Sequence, residues 1–257
     1  MMCGTDAPSG SPEWVSVVTA AERPGLWETT AAQNLFAGLW PEYNHHGKHA
    51  GAYFAALIPR YAHLQVLVVD DRFGDVIARG RTIPFRWDGG LETLPNGIDA
   101  LGLAGLRGGG TPTSLSALAA EVVPERQGQG VSSVIIGAMT SLARDNGLDP
   151  LVAPVRPSWK DRHPLVPIEQ YAAWQREDGL PYDPWLRVHV RLGGQILRSE
   201  PRSLEITAPV TDWEQWTGMR FPDDGEYVFP GGLTPLSVRD GIGCYWEPNV
   251  WVRHTVN

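Results

Sequence analysis

The chain has 257 residues, with 42% hydrophobic and 19% charged side chains and a formal net charge of −8, so it reads as a globular protein able to bury one large core. The acidic balance argues against a broad nucleic-acid footprint, which needs clustered Lys and Arg. No apolar run reaches the roughly 18 residues of a membrane span. Two cysteines, Cys3 and Cys244, stand near opposite ends, which argues against a disulfide framework and for a reducing, cytoplasmic setting.

Residues 1–11 lack the basic start and apolar core of a signal peptide and are expected to form a disordered tail. A β-branched run from Trp14 to Ala20 predicts a first strand, and Arg23-Pro24-Gly25 breaks it. Leu26, Ala31, Leu35 and Leu39 recur at near-helical spacing, predicting a helix from Leu26 to Trp40. A polar loop through Tyr43, Asn44, His45 and His46 leads to a second helix over His49–Tyr61, with Pro59 in its last turn. Leu64–Val69 and Val76–Phe85 predict two strands joined by a hairpin-type connection. The Gly-rich segment from Arg86 to Thr113 is expected to be an insertion loop with a short helix over Asp99–Leu106.

The most informative stretch follows. Leu115–Val123 is strand-like. Pro124-Glu125-Arg126-Gln127-Gly128-Gln129-Gly130 is a tight turn. Val131, Val134, Ile135, Ala138 and Leu142 then mark one face of a helix ending at Asn146-Gly147. The first backbone N–H groups of a helix have no partners inside it, glycines let a ligand approach the backbone, and the helix dipole adds positive charge. The arrangement suits a pyrophosphate. It is not a P-loop, since no Gly-Lys-Ser/Thr follows, and not a dinucleotide fingerprint, since Ser133 stands where a third glycine is needed. Beyond it, Leu151–Val155 predicts a strand, and Pro167–Gln175 and Pro184–Leu192 predict helices with Pro near their starts. Four β-like runs follow, at Gln195–Arg198, Ser203–Thr207, Glu226–Phe229 and Gly243–Val252.

This stretch resembles motif A of the GNAT superfamily of N-acetyltransferases, Gln/Arg-x-x-Gly-x-Gly/Ala between a strand and a helix. Here it reads Gln127-Gly128-Gln129-Gly130-Val131-Ser132, after Val122-Val123-Pro124-Glu125, with Ser132 where Gly or Ala is usual. A second likeness is His189-Val190-Arg191-Leu192-Gly193-Gly194, similar to the family's Tyr-x-x-Leu-Gly-Phe, with His189 in the tyrosine's place and Gly194 in that of phenylalanine. The resemblance implies an α/β fold with a mixed, mostly antiparallel central sheet flanked by helices. It places a core over residues 12–198, with a β-rich extension over 199–257 packed on it.

The resemblance also implies direct acyl transfer from a thioester, acetyl-CoA or another acyl-CoA, to the amine of a small molecule. The amides of Gln127, Gly128, Gln129, Gly130, Val131 and Ser132 would hold the pyrophosphate, and the Val122–Val123 backbone would pair with the pantetheine arm. His189 is the candidate acid for the leaving thiolate. Glu121, the only carboxylate in the motif strand, is either the base or a strand-edge charge. Ser114 and Ser116 could order water upstream. Tyr43, Asn44, His45 and His46 are acceptor-contact candidates, because the loop between the first two helices lines the acceptor pocket in such folds. An acyl carrier protein's phosphopantetheine could replace CoA as donor, and a non-catalytic acyl-CoA-binding protein is a further alternative. His45 and His49 have the spacing of a helical metal pair, but Lys48 lies within the group and no metal is expected.

Overall fold

The computed structural model describes residues 12–255; the expected tail and Cys3 lie outside the described residues. One nine-stranded sheet runs through the molecule. β1 (Val15–Thr19), β2 (Val66–Asp70), β3 (Asp75–Phe85) and β4 (Ser114–Val122) pair antiparallel in that order. β4 then meets β5 (Leu151–Val155) in parallel. β5 pairs antiparallel with the long β9 (Ile242–His254), which also pairs with β6 (Gln195–Pro209) and β8 (Leu236–Arg239), and β7 (Gly225–Tyr227) closes that edge. The sheet is mostly antiparallel, as expected, with additional strands at the C-terminal end.

Helices cover both faces, so central strands read as near-continuous apolar runs rather than alternating ones; all five residues of β2 are buried. On one face α4 (Val131–Asp145) lays Val134, Ile135, Ala138 and Leu142 of the predicted stripe, together with Met139, against β2, β3 and β4. Gly80 allows this close contact, because a Cβ there would stand 2.9 Å from Met139 Sδ. On the other face α2 (Ala50–Tyr61) and α3 (Gly97–Arg107) join α7 (Val210–Thr217) in a second core around Tyr53, Leu101 and Trp213.

Three expectations are corrected. The helix predicted over Leu26–Trp40 is only α1 (Pro24–Ala32). Asn34 and Gly38 adopt left-handed backbone, φ 51° and 73°, and unwind the chain into turns from which Leu35 and Leu39 still pack on the core. The two short runs around Ser199–Arg202 are one continuous strand, β6, with a shifted register between Glu200 and Leu204. β6 spans residue 198 and β9 lies beside β5, so the additional C-terminal strands continue the same sheet as the core. α7 and β8 are not foreseen from the sequence, and the helix at Pro167 is one short turn, α5 (Ile168–Ala172).

Two features of β4 position the site. Its ladder with β5 has two rungs, Leu115↔Leu151 and Ser116↔Val152, after which the strands part. Opposite β3, the register jumps from Thr82↔Ala117 to Arg81↔Ala119, leaving Leu118 as the extra residue of a bulge. The packing between α2 and α3 gives a direct check on the second core. A Cβ on Gly102 would sit 2.3 Å from Tyr53 Cδ1, so Gly102→Ala is expected to destabilise by about 1–3 kcal/mol, read as a lowered urea midpoint at unchanged slope.

Candidate active site in the split sheet

Where β4 and β5 part, a cavity of about 490 Å³ opens, and its walls come from both faces of the sheet. On the α4 side it is lined by Met139, Val155, Trp185 and His189; on the other, by Trp40, Asn44, His45, Phe54, Arg81 and Glu247. The split therefore makes a passage through the sheet. By strand alternation, since Val123 donates its N–H to Ile77 on β3 at 3.0 Å, Ala120 and Val122 turn their N–H and C=O to the open edge. The Val122 carbonyl accepts from Gln127 Nε2 at 3.1 Å. Of the expected pantetheine contacts, Val122 faces the gap and the Val123 N–H is already committed to β3.

At the end of β4 the chain makes a single helical turn at Pro124–Arg126 and enters α4 through Gly128 and Gly130, both left-handed with φ 74° and 83°. Nothing lies within 4 Å of a Cβ built at either position, so backbone conformation rather than space calls for glycine. Gly130 is the N-cap of α4 and supplies no side-chain cap. Among the described residues no acceptor takes the N–H groups of Gly128, Gln129, Gly130, Val131 or Ser132. These donors stand at the positive end of a 15-residue helix.

Glu121 is neither a strand-edge charge nor a free base. It is 3% exposed. Its Oε2 accepts from Arg79 Nε at 2.7 Å, and its Oε1 accepts from Arg81 Nη2 at 3.1 Å and from Trp40 Nε1 at 3.1 Å. Burial works to raise its pKa, but the Arg81 and Arg79 charges and the hydrogen bonds outweigh that and hold it below the ordinary carboxylate value. A carboxylate kept ionised and occupied in this way is a weak proton acceptor. It serves as the hub that fixes Arg81, whose guanidinium lies 4.2 Å over the Phe54 ring and lines the cavity.

A second hub stands on the side of the cavity away from α4. Glu247, on β9 and 3% exposed, accepts from Asn44 Nδ2 at 2.7 Å and from Tyr245 Oη at 3.2 Å. Arg156 Nε lies 3.0 Å from it, an ion contact without hydrogen-bond alignment. Asn44 Oδ1 is buried with no partner. Of the four loop residues expected to contact an acceptor, Asn44 and His45 line the cavity. Tyr43 is buried in an aromatic cluster with Trp213, Phe229 and Tyr245 and donates to the Gly231 carbonyl at 2.6 Å. His46 stacks on Trp216 at the surface, ring centroids 4.1 Å apart. His45 lies in the single-turn segment Glu42–His46 and His49 precedes α2, so the pair does not share one helix. No group of three or more His, Cys, Asp or Glu among the described residues is arranged to hold a metal. Glu247 and Arg156 lack any local motif and meet only through the pairing of β9 with β5 and β6.

His189 lies on α6 (Pro184–Arg191). Asp183 caps that helix by accepting from the Trp185 and Leu186 amides, while also holding Trp159 N and Tyr171 Oη. The imidazole is 4% exposed, its Nδ1 is 2.8 Å from His254 Nε2, and its Nε2 has no partner. Burial, and then the neighbouring His254, lowers its pKa to about 3. The ring is therefore neutral at physiological pH, unlike an acid poised near neutrality. Gly194 makes the contact possible, since a Cβ there would fall 2.8 Å from His254 Cε1.

Comparison with known proteins fits this architecture. A relative from Aspergillus versicolor, arginine N-acetyltransferase avaD, is 32% identical over the full length of both chains. The chain belongs to the GNAT superfamily of N-acetyltransferases. No protein-family model matches it. Two solved structures share the fold: the loading GNATL domain of CurA from Lyngbya majuscula, with TM-score 0.58, 17% identity and coverage of 95% of this chain and 98% of that one, and the GphF GNAT-like decarboxylase in complex with isobutyryl-CoA, with TM-score 0.53, 19% identity and coverage of 95% and 99%. This GNAT chain is an N-acyltransferase, and among its described residues no helix is long and apolar enough to cross a membrane.

Two measurements check the electrostatics. Glu121→Gln leaves Arg79 and Arg81 short of their counter-charge. It is expected to destabilise by about 2–4 kcal/mol, below the full loss for a buried pair because both arginines keep some solvent contact. The histidine pair predicts a pH effect of definite sign. His189 and His254 have pKa values lowered to about 3 and about 4 from the ordinary 6.5, both chiefly by burial. The unfolded chain then binds more protons below 6.5, so this contribution is complete above 6.5 and is lost as the pH falls toward 4. The thermal midpoint should drop between about pH 7 and about pH 5, and less steeply in the His189→Gln/His254→Gln double variant.

Proposed function

We propose that the protein transfers an acyl group from a coenzyme A thioester to a nitrogen of a small, arginine-like acceptor. The observation that carries the reading is the passage between β4 and β5, lined by Val122 and Gln127, with five unpaired amides in the turn that follows Gln127 and polar acceptor atoms on the opposite side of the passage. The N–H groups of Gly128 to Ser132 take the pyrophosphate. The open edge at Ala120 and Val122 pairs with the pantetheine amides, Gln127 turning away from the Val122 carbonyl as it does so. The thioester then lies in the split. The acceptor enters from the far face, where Asn44 Oδ1 and the Glu247 carboxylate offer lone pairs to the N–H groups of a cationic head. The relative named for arginine supports that class of acceptor. The amine nitrogen attacks the thioester carbonyl, the C–N bond forms, and the C–S bond breaks. With Glu121 occupied by two arginines, His189 is the group placed to handle the proton.

Calorimetry with acetyl-CoA is the first test. We expect binding, and about tenfold or greater weakening in Gly128→Val, where a β-branched residue resists φ 74°. Absence of binding to acetyl-CoA, longer acyl-CoAs and free CoA alike would remove the proposal. Turnover is then measured with arginine, with a neutral urea analogue of it, and with a carrier-protein thioester as alternative donor. Donor binding with no acylation of any amine would mark a ligand-binding protein instead. The acceptor class is checked by Glu247→Gln, expected to raise KM for arginine by about tenfold with little effect on KM for acetyl-CoA.

A further inference from the structure

His254 is ignored by every sequence motif, yet among the described residues it is the partner of the His189 side chain, the cavity's buried histidine. Its position follows from the sheet. It is the last residue of β9, paired with Leu151 at the rung where β4 and β5 still touch. From there its Nε2 reaches His189 Nδ1 at 2.8 Å. It is 2% exposed.

The two rings share one hydrogen bond, so one nitrogen must carry a proton and the other must not. The free nitrogen of His189 decides which. His189 Nε2 is buried without a hydrogen-bond partner, and a buried N–H with no acceptor is rarer and costlier than a bare lone pair. His189 therefore carries its hydrogen on Nδ1 and donates it to a bare His254 Nε2. His189 Nε2 is then bare as well. That atom is buried without a partner on a residue that lines the cavity.

We propose that His254 is a positioning residue that locks His189 in the Nδ1–H tautomer and so presents a bare Nε2 lone pair to the attacking acceptor nitrogen. The inference rests on the acyltransfer reading above. In the reaction, the acceptor nitrogen forms its bond to the thioester carbon and becomes positively charged and far more acidic than the free amine. Its proton passes to His189 Nε2. The ring is then an imidazolium whose Nδ1–H still points at His254. As the C–S bond breaks, the sulfur leaves with the electron pair and takes the proton back from Nε2. Amide and free thiol result, and His189 returns to its starting form. A weakly basic imidazole suits this order, because the proton it removes becomes acidic only after the C–N bond has formed. One nitrogen then serves as base and acid in turn, so no separate carboxylate base is needed.

Nitrogen NMR of the full chain, with His189 assigned by its loss in His189→Ala, reads the tautomer directly. The expected result is a protonated Nδ1 and a bare Nε2 at neutral pH; a protonated Nε2 in the wild-type protein would overturn the inference. Kinetics supply the second readout. His254→Phe keeps a ring but loses the acceptor, and is expected to lower kcat by about tenfold to a hundredfold with KM for acetyl-CoA changed less than about twofold. His254→Asn can present Oδ1 to His189 Nδ1 and should recover most of that loss. If Phe and Asn are equally impaired, or both match the wild type, His254 does not act through His189. Should the Phe variant fail to fold, the Asn variant and the spectrum still decide. Acetyl-CoA binding by the same samples separates the cases: retained binding with the wrong tautomer removes this inference alone, while absent binding removes the acyltransfer reading beneath it.

Discussion

The parting of β4 from β5 after two rungs is the constraint on which the rest of the molecule depends. A parallel pair that stays zipped satisfies its backbone and closes the sheet; one that separates leaves unpaired N–H and C=O groups along an edge and a gap through a layer that is otherwise solid. Around that gap the chain holds the two strands by other means. β3 secures β4 along nearly its full length, and β9 secures β5 over all five residues. The bulge at Leu118 adds local twist where β4 turns away.

A gap of this kind in the interior of a protein needs polar groups, and polar groups there need partners. The structure meets this with hubs rather than isolated charges. Glu121 compensates two arginines across adjacent strands, and Glu247 gathers an arginine, an asparagine and a tyrosine from distant parts of the chain. Each hub rigidifies one wall of the cavity. Among the atoms left over, Asn44 Oδ1, Arg81 Nε and His189 Nε2 are buried without hydrogen-bond partners on residues that line the cavity. In a region otherwise well satisfied, these are the positions where a bound molecule has most to offer.

Local patterns made a large part of this visible in advance. The strand, glycine turn and amphipathic helix over Ser114–Asp145 are encoded in consecutive residues, because a left-handed glycine and a 3.6-residue apolar stripe are properties of a short segment. The hairpin of β2 and β3 is legible for the same reason. What stayed hidden is non-local. The role of Glu121 depends on Arg79 and Arg81 of the neighbouring strand. Tyr43 and Asn44 are adjacent in sequence, yet one is sunk in an aromatic cluster and the other faces the cavity, a distinction set by the packing of β9 and α7 against their loop. Helical spacing misled over Leu26–Trp40 because apolar residues emerging from turns can reach the same core.

From the sequence by itself follow the sheet-and-helix class, the turn suited to a pyrophosphate, and the resemblance that names the chemistry, since all three rest on residues close together in the chain. Only the tertiary structure decided which titratable groups are free to act. His189 and His254 stand 65 positions apart and meet because β9 returns beside β5 and Gly194 lets α6 come close. Burial, ion pairing and the tautomer of a ring are properties of surroundings, and those surroundings exist only once distant strands have been brought side by side.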